Sequence, residues 1–249
     1  MMHAPEEWIT PDWPAPVNVR AVVTTRMGGV SEPPFDTFNP VNDVGDTAQA
    51  ARENRRRLQE YLALDNEPRW LKQVHGRQVV RADKIASGEQ ADAAWTQQQG
   101  LPCVVTTADC LPVFMCDKAG TFVAAIHAGW RGLAQGVVKQ CLETVPAVAQ
   151  DIMTWLGPAI GPQAYEVGED VYRAFISMDA KFEQAFNVLS TGKWLCDLYA
   201  VARLQLSAAG VEEIYGGGFC THSDKQRFFS FRRDKRCGRM ANLIWLERG

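Results

Sequence analysis

The strand-forming runs of this chain are short, stop at glycine or proline, and do not alternate with helices in a regular strand–helix–strand rhythm. That irregularity disfavours a doubly wound parallel sheet. β-Branched or apolar runs fall at residues 17–25, 70–74, 78–82, 104–107, 111–116, 121–126, 151–156, 213–216, 228–232 and 243–246. Helical spacing runs from Asp46 or Thr47 to about Leu64 and from the Gly129 loop to about Val148. It recurs over 169–176 and 194–209, the last closed by Gly210 just past the helix end. Leu58, Tyr61 and Leu62 form the apolar stripe of the first helix, and residues 54–57, with the run Arg55-Arg56-Arg57, read as its wet side. The pattern predicts an α+β fold, one domain over residues 1–249 with mixed β-sheets flanked by helices, behind an extended segment at residues 1–16.

Composition narrows the function. A formal net charge of −3 and no cationic run longer than three residues argue against a nucleic-acid partner. No apolar run approaches the roughly 18 residues of a membrane span. The first 19 residues are acidic and broken by prolines, unlike a signal peptide, and the 7 cysteines form no CxxC pair. Both observations predict a cytoplasmic protein with reduced thiols. The chain has only 4 histidines, His3, His75, His127 and His222. His3 reads as disordered and His222 as surface.

Three residues stand at strand ends beside glycine or proline: His75 in Gln73-Val74-His75-Gly76, Cys110 in Ala108-Asp109-Cys110-Leu111-Pro112, and His127 in His127-Ala128-Gly129-Trp130. Two imidazoles and a thiolate suit a catalytic zinc that keeps a fourth position for water or substrate. Their separation is too long for a local finger, so the fold would have to assemble them. The rival reading makes Cys110 a nucleophile with His127 as its base.

Around this set lie candidate ligand contacts. Arg131, between Gly129 and Gly132 at a helix start, and Arg26, before Gly28-Gly29, are placed to hold an anion, with a surface salt bridge as the alternative for Arg26. Asp109 and Glu166 are candidate proton carriers, or else turn carboxylates that accept backbone N–H groups. Phe228, in Phe228-Phe229-Ser230-Phe231, reads as a core strand residue or as a face for stacking on a base.

These segments, together with Thr25-Arg26-Met27-Gly28-Gly29-Val30-Ser31, Gly157-Pro158-Ala159-Ile160-Gly161-Pro162 and Phe231-Arg232-Arg233-Asp234, resemble in order the YfiH family, also called the multicopper polyphenol oxidase or laccase-domain family. The resemblance implies a YfiH-like α+β fold and a zinc ion on His75, Cys110 and His127, with copper as a possible substitute because a His₂Cys set suits both metals. It further implies phosphorolysis of adenosine, inosine, guanosine and methylthioadenosine, deamination of adenosine, purine nucleosides and phosphate as partners, and a monomer or weak homodimer. The bacterial branch also implies an alternative, a cysteine- or metal-dependent hydrolase that edits peptidoglycan precursors. A true multicopper laccase needs far more imidazole ligands than 4 histidines supply. The chain departs from the family at Asp43, a position that often holds histidine.

Overall fold

The computed structural model describes residues 4–248; His3 lies outside the described residues. The first half of the chain forms β1 (Val19–Val23), α1 (Ala48–Tyr61), β2 (Val79–Arg81), β3 (Ala93–Thr96), β4 (Cys103–Thr107), β5 (Leu111–Asp117), β6 (Val123–Ala128), α2 (Trp130–Ala134) and α3 (Val137–Thr144). The second half forms β7 (Ile152–Leu156), β8 (Glu166–Gly168), α4 (Glu169–Ile176), β9 (Phe186–Ser190), β10 (Lys193–Cys196), α5 (Leu198–Ala208), β11 (Glu213–Gly216), α6 (Phe231–Asp234) and β12 (Met240–Leu246).

A mixed sheet in the order β11-β7-β5-β6-β3-β2 is the centre of the fold, with parallel pairs at its two edges and antiparallel pairs between. Two smaller sheets, β1-β12-β4 and β8-β10-β9, complete the α+β architecture. β5 is buried along its whole length, as expected of a strand covered on both faces. Its alternating side chains serve two cores: Leu111, Val113 and Met115 meet Leu133, Val137, Val138 and Cys141 of the helical layer. Phe114 and Cys116 meet Val105, Phe228, Phe229 and Ile244 from the side of the small sheet. β12 repeats the device, giving Met240 and Ile244 to that second core and Ala241 and Leu243 to a third, where Leu58 of α1, Trp8 and Phe38 close the outer face. Among the described residues no helix is long and apolar enough to cross a membrane.

Several local expectations are corrected. The helix expected to run on from the Gly129 loop breaks into α2 and α3 at Gly136, whose φ of 83° is left-handed. Residues 194–209 split because Trp194 pairs in β10, and the Asp197 carboxylate then caps α5 by accepting the Ala200 N–H. Residues 70–74 form only bridge contacts, and 228–232 is no strand: Ser230 caps the short α6 by accepting the Arg233 N–H.

Asn54 is not on the wet side of α1 but fully buried. Its Oδ1 accepts the Val30 N–H, and its amide donates to Ser31 Oγ and to the carbonyls of Thr37 and Asn39. One side chain thus ties the loop over residues 29–39 to the helix, and removing it leaves several buried polar groups unpaired. Asn54→Ala is therefore expected to lower stability by about 3 kcal/mol. Urea unfolding checks this, as a drop in midpoint at unchanged m-value.

Candidate metal centre

Register explains how distant residues meet. Leu111 of β5 pairs with Ala128 of β6, so Cys110, one residue before β5, sits beside the end of β6 that carries His127. Ala93 of β3 pairs with Ile126, which sets Asp92 next to His127, and Val79 of β2 pairs with Ala93, which brings the preceding turn at His75-Gly76 to the same end of the sheet. Potential ligand atoms of His75, Cys110 and His127 all lie within 4.8 Å of one another. The two imidazoles stand edge to face, with ring centroids 4.8 Å apart.

Asp92, fully buried, organises the group. Its Oδ1 accepts from His127 Nδ1 at 2.8 Å and from the His75 N–H at 2.9 Å, its Oδ2 from the N–H groups of Gly76 at 2.7 Å and Val74 at 3.3 Å. Its own carbonyl accepts the His127 N–H at 2.7 Å. Burial raises the Asp92 carboxyl pKa, but His127 and these backbone N–H groups outweigh it, so the pKa is lowered. Because a carboxylate only accepts, His127 carries its proton on Nδ1 and leaves Nε2 for a ligand. The His75 backbone, at φ 59°, is strained for a non-glycine residue, and the Asp92 bonds hold it there.

The donor set fits a metal of zinc or copper type. Space around it is kept by a glycine: a Cβ added at Gly129 would lie 2.9 Å from Cys110 Sγ and 3.3 Å from the His75 ring. Gly132 answers a different need than anion binding, since a Cβ there would come within 3.0 Å of the Gly76 carbonyl.

Burial pushes the Cys110 thiol up, but His127, followed by His75, draws it down to about 6. Burial pulls His127 down, yet Cys110 and Asp92 raise it to about 9. In the metal-free protein the pair is therefore thiolate and imidazolium across neutral pH.

The group opens on a cleft of about 570 Å³ walled also by Trp130, Tyr165, Phe231 and Asp43. Arg131, Arg232, Lys235 and Arg239 line it too. Asp109 borders it at φ 89° but is engaged, accepting from the Thr221 hydroxyl and the Arg232 N–H at 2.6 Å each. Other sequence candidates lie elsewhere. Arg26 bonds Asp36 and the Lys225 carbonyl and stacks over Phe229. The Glu166 carboxylate pairs with Lys193, and Phe228 is fully buried in the second core. His222 is half-buried. Asp92 and Arg232 were missed by sequence reasoning; a lone aspartate before a short strand carries no motif, whereas Arg232 was within reach as a cation next to the Phe231 turn.

A strand-end His/Cys/His group beside a cationic cleft defines the protein as a candidate metalloenzyme of α+β fold. A family model described as multi-copper polyphenol oxidoreductase laccase matches residues 20–247, and the chain belongs to that family. It is 50% identical over 241 residues to a purine nucleoside phosphorylase of Pseudomonas aeruginosa, covering 96% of this chain and 98% of that one. It is 47% identical over 239 residues to purine nucleoside phosphorylase YfiH of Escherichia coli, with coverage of 96% and 98%. A crystal structure of a Neisseria meningitidis protein superposes with a TM-score of 0.95 at 45% identity, covering 98% of this chain and 100% of that one.

Because the Cys110 pKa is lowered, its alkylation by iodoacetamide in metal-free protein is expected to rise with pH through a midpoint near 6, read site by site by mass spectrometry. His127→Ala should move that midpoint up towards the ordinary thiol value of about 8.5. A wild-type midpoint already near that value would contradict the pairing.

Proposed function

We propose that this protein is a zinc-dependent purine nucleoside phosphorylase whose cleft also deaminates adenosine and accepts methylthioadenosine. The observation that carries the reading is the His75, Cys110 and His127 group in the wall of a cation-lined cleft, in a chain whose relatives are named purine nucleoside phosphorylases. Bound zinc would supply Lewis-acid polarisation and a lowered pKa for coordinated water.

The chain's own residues do the rest. In phosphorolysis a phosphate oxygen bonds to C1′ as the bond from C1′ to purine N9 breaks, and the leaving purine takes up a proton. Arg131, Arg232, Lys235 and Arg239 have no carboxylate partner within ion-pairing distance among the described residues, so their charge is free to hold the phosphate. Arg232 is held in place by its Nη1–H bond to the Glu166 carbonyl at 2.7 Å and its stacking on Tyr165. Trp130, Tyr165 and the exposed Phe231 offer apolar faces for the base. Asp109, with both oxygens occupied, serves to fix the Thr221 and Arg232 segments rather than to carry a proton.

A second reading has one observation in its favour. Cys110, His127 and Asp92 are arranged as nucleophile, base and orienting carboxylate, which suits a cysteine hydrolase. His75 has no part in such a triad, whereas a metal uses it.

Product analysis tests both. Zinc-loaded protein with adenosine is expected to yield adenine only when phosphate is present and inosine with or without it. Chelator and Cys110→Ala should each abolish both products, the latter with loss of bound metal. Turnover that survives chelation but stops on alkylation would instead support the hydrolase.

A further inference from the structure

A second cavity of about 320 Å³ adjoins the cleft and shares Val41, Asp43, Leu71, Gln73 and Thr106 with it. Gln73 stands between the two, its amide bonded to the Thr106 carbonyl and its Oε1 accepting the Thr106 N–H and hydroxyl. The cations of the cleft come from α2 and from residues 232–239, but those of this cavity, Arg55 and Lys72, come from α1 and the segment before His75.

Arg55 belongs to the arginine run of α1, yet it departs from its neighbours. Arg56 and Arg57 pair with Glu53, while Arg55 turns inward, donating Nε–H to the Pro40 carbonyl at 2.7 Å and stacking 4.3 Å over Trp70. Neither Arg55 nor Lys72 makes an ion pair among the described residues. Burial disfavours the Arg55 charge, and Glu67 and Asp43 favour it only at a distance. Trp70 also lines the cavity at 5% exposure, and its indole N–H has no partner. Two cations without ion-pair partners against a single lining carboxylate, Asp43, leave this cavity with a surplus of positive charge and make it a place for an anion.

We propose that this compartment receives an anionic 5′ substituent of the nucleoside, so that nucleoside 5′-monophosphates are ligands of the site. The inference rests on the nucleoside reading of the cleft. The proposed pose sets the base against Trp130, Tyr165 and Phe231 and C1′ at the reacting centre, and turns the 5′ carbon toward the shared Gln73 and Thr106 boundary. A 5′-phosphate there gains charge-assisted bonds that a 5′-hydroxyl lacks.

Calorimetric titration of the full, zinc-loaded chain with adenosine, adenosine 5′-monophosphate and inorganic phosphate is the test. The monophosphate is expected to bind about tenfold tighter than adenosine, and Lys72→Gln and Arg55→Gln should each erase most of that advantage. Lys72 is exposed, so Lys72→Gln keeps the test valid if loss of the Pro40 bond unfolds the Arg55 variant. Equal affinities, or an advantage that survives both substitutions, would overturn the inference while leaving the nucleoside reading intact. Phosphate binding that disappears in Lys72→Gln while the two nucleoside ligands stay equal would reassign the compartment to free phosphate. Binding of neither nucleoside ligand would overturn both readings.

Discussion

The Asp92 carboxylate is the interaction on which the site depends. One buried group sets the tautomer of His127, caps the turn that carries His75, and through its own carbonyl receives the His127 backbone. Its charge survives burial because every contact made to it is a donor. Without it the buried imidazole loses its anchor and the His75 turn loses the bonds that hold a positive φ. Cys110 adds the second negative charge, and together the two acidic groups favour the protonated form of His127.

The sheet makes this arrangement possible. Strand ends are where side chains leave a rigid frame and face solvent, and the register of β2, β3, β6 and β5 brings four such ends together. Both faces of β5 are buried, so the frame is stiff where Cys110 leaves it. Chemistry is thus carried on short turns supported by three cores, with Asn54 bracing the loop that leads towards the Asp43 wall. That loop, through Val41 and Asp43, borders both the cleft and the adjoining cavity.

Much of this was legible in the residues. Glycine next to His75 and two residues past His127, and the break at Cys110, marked strand ends, and β-branched runs located most strands. The α+β class followed from their irregular order. What local pattern did not carry was long-range pairing. Asn54 looks polar and wet on a helical wheel, and only the loop folded over it makes it core. Arg26 and Phe228 resembled site residues because they adjoin the right motifs, but Asp36 and the second core claim them. Asp92 gave no signal, since its partners lie 16 to 35 positions away. The left-handed Gly136 was visible as a glycine, yet the helical spacing on both sides concealed the break.

Metal affinity of Asp92→Asn, measured by competition with a chromogenic chelator and with folding checked by circular dichroism, tests the account most directly. An asparagine keeps the size of the side chain but loses the charge and the acceptor pair that serve His127, Gly76 and His75. The Asp92→Asn protein is expected to fold and to bind zinc roughly 10–100-fold more weakly than the wild type. A folded Asp92→Asn protein with wild-type affinity would contradict the account, because the carboxylate would then not be what holds the ligands in place.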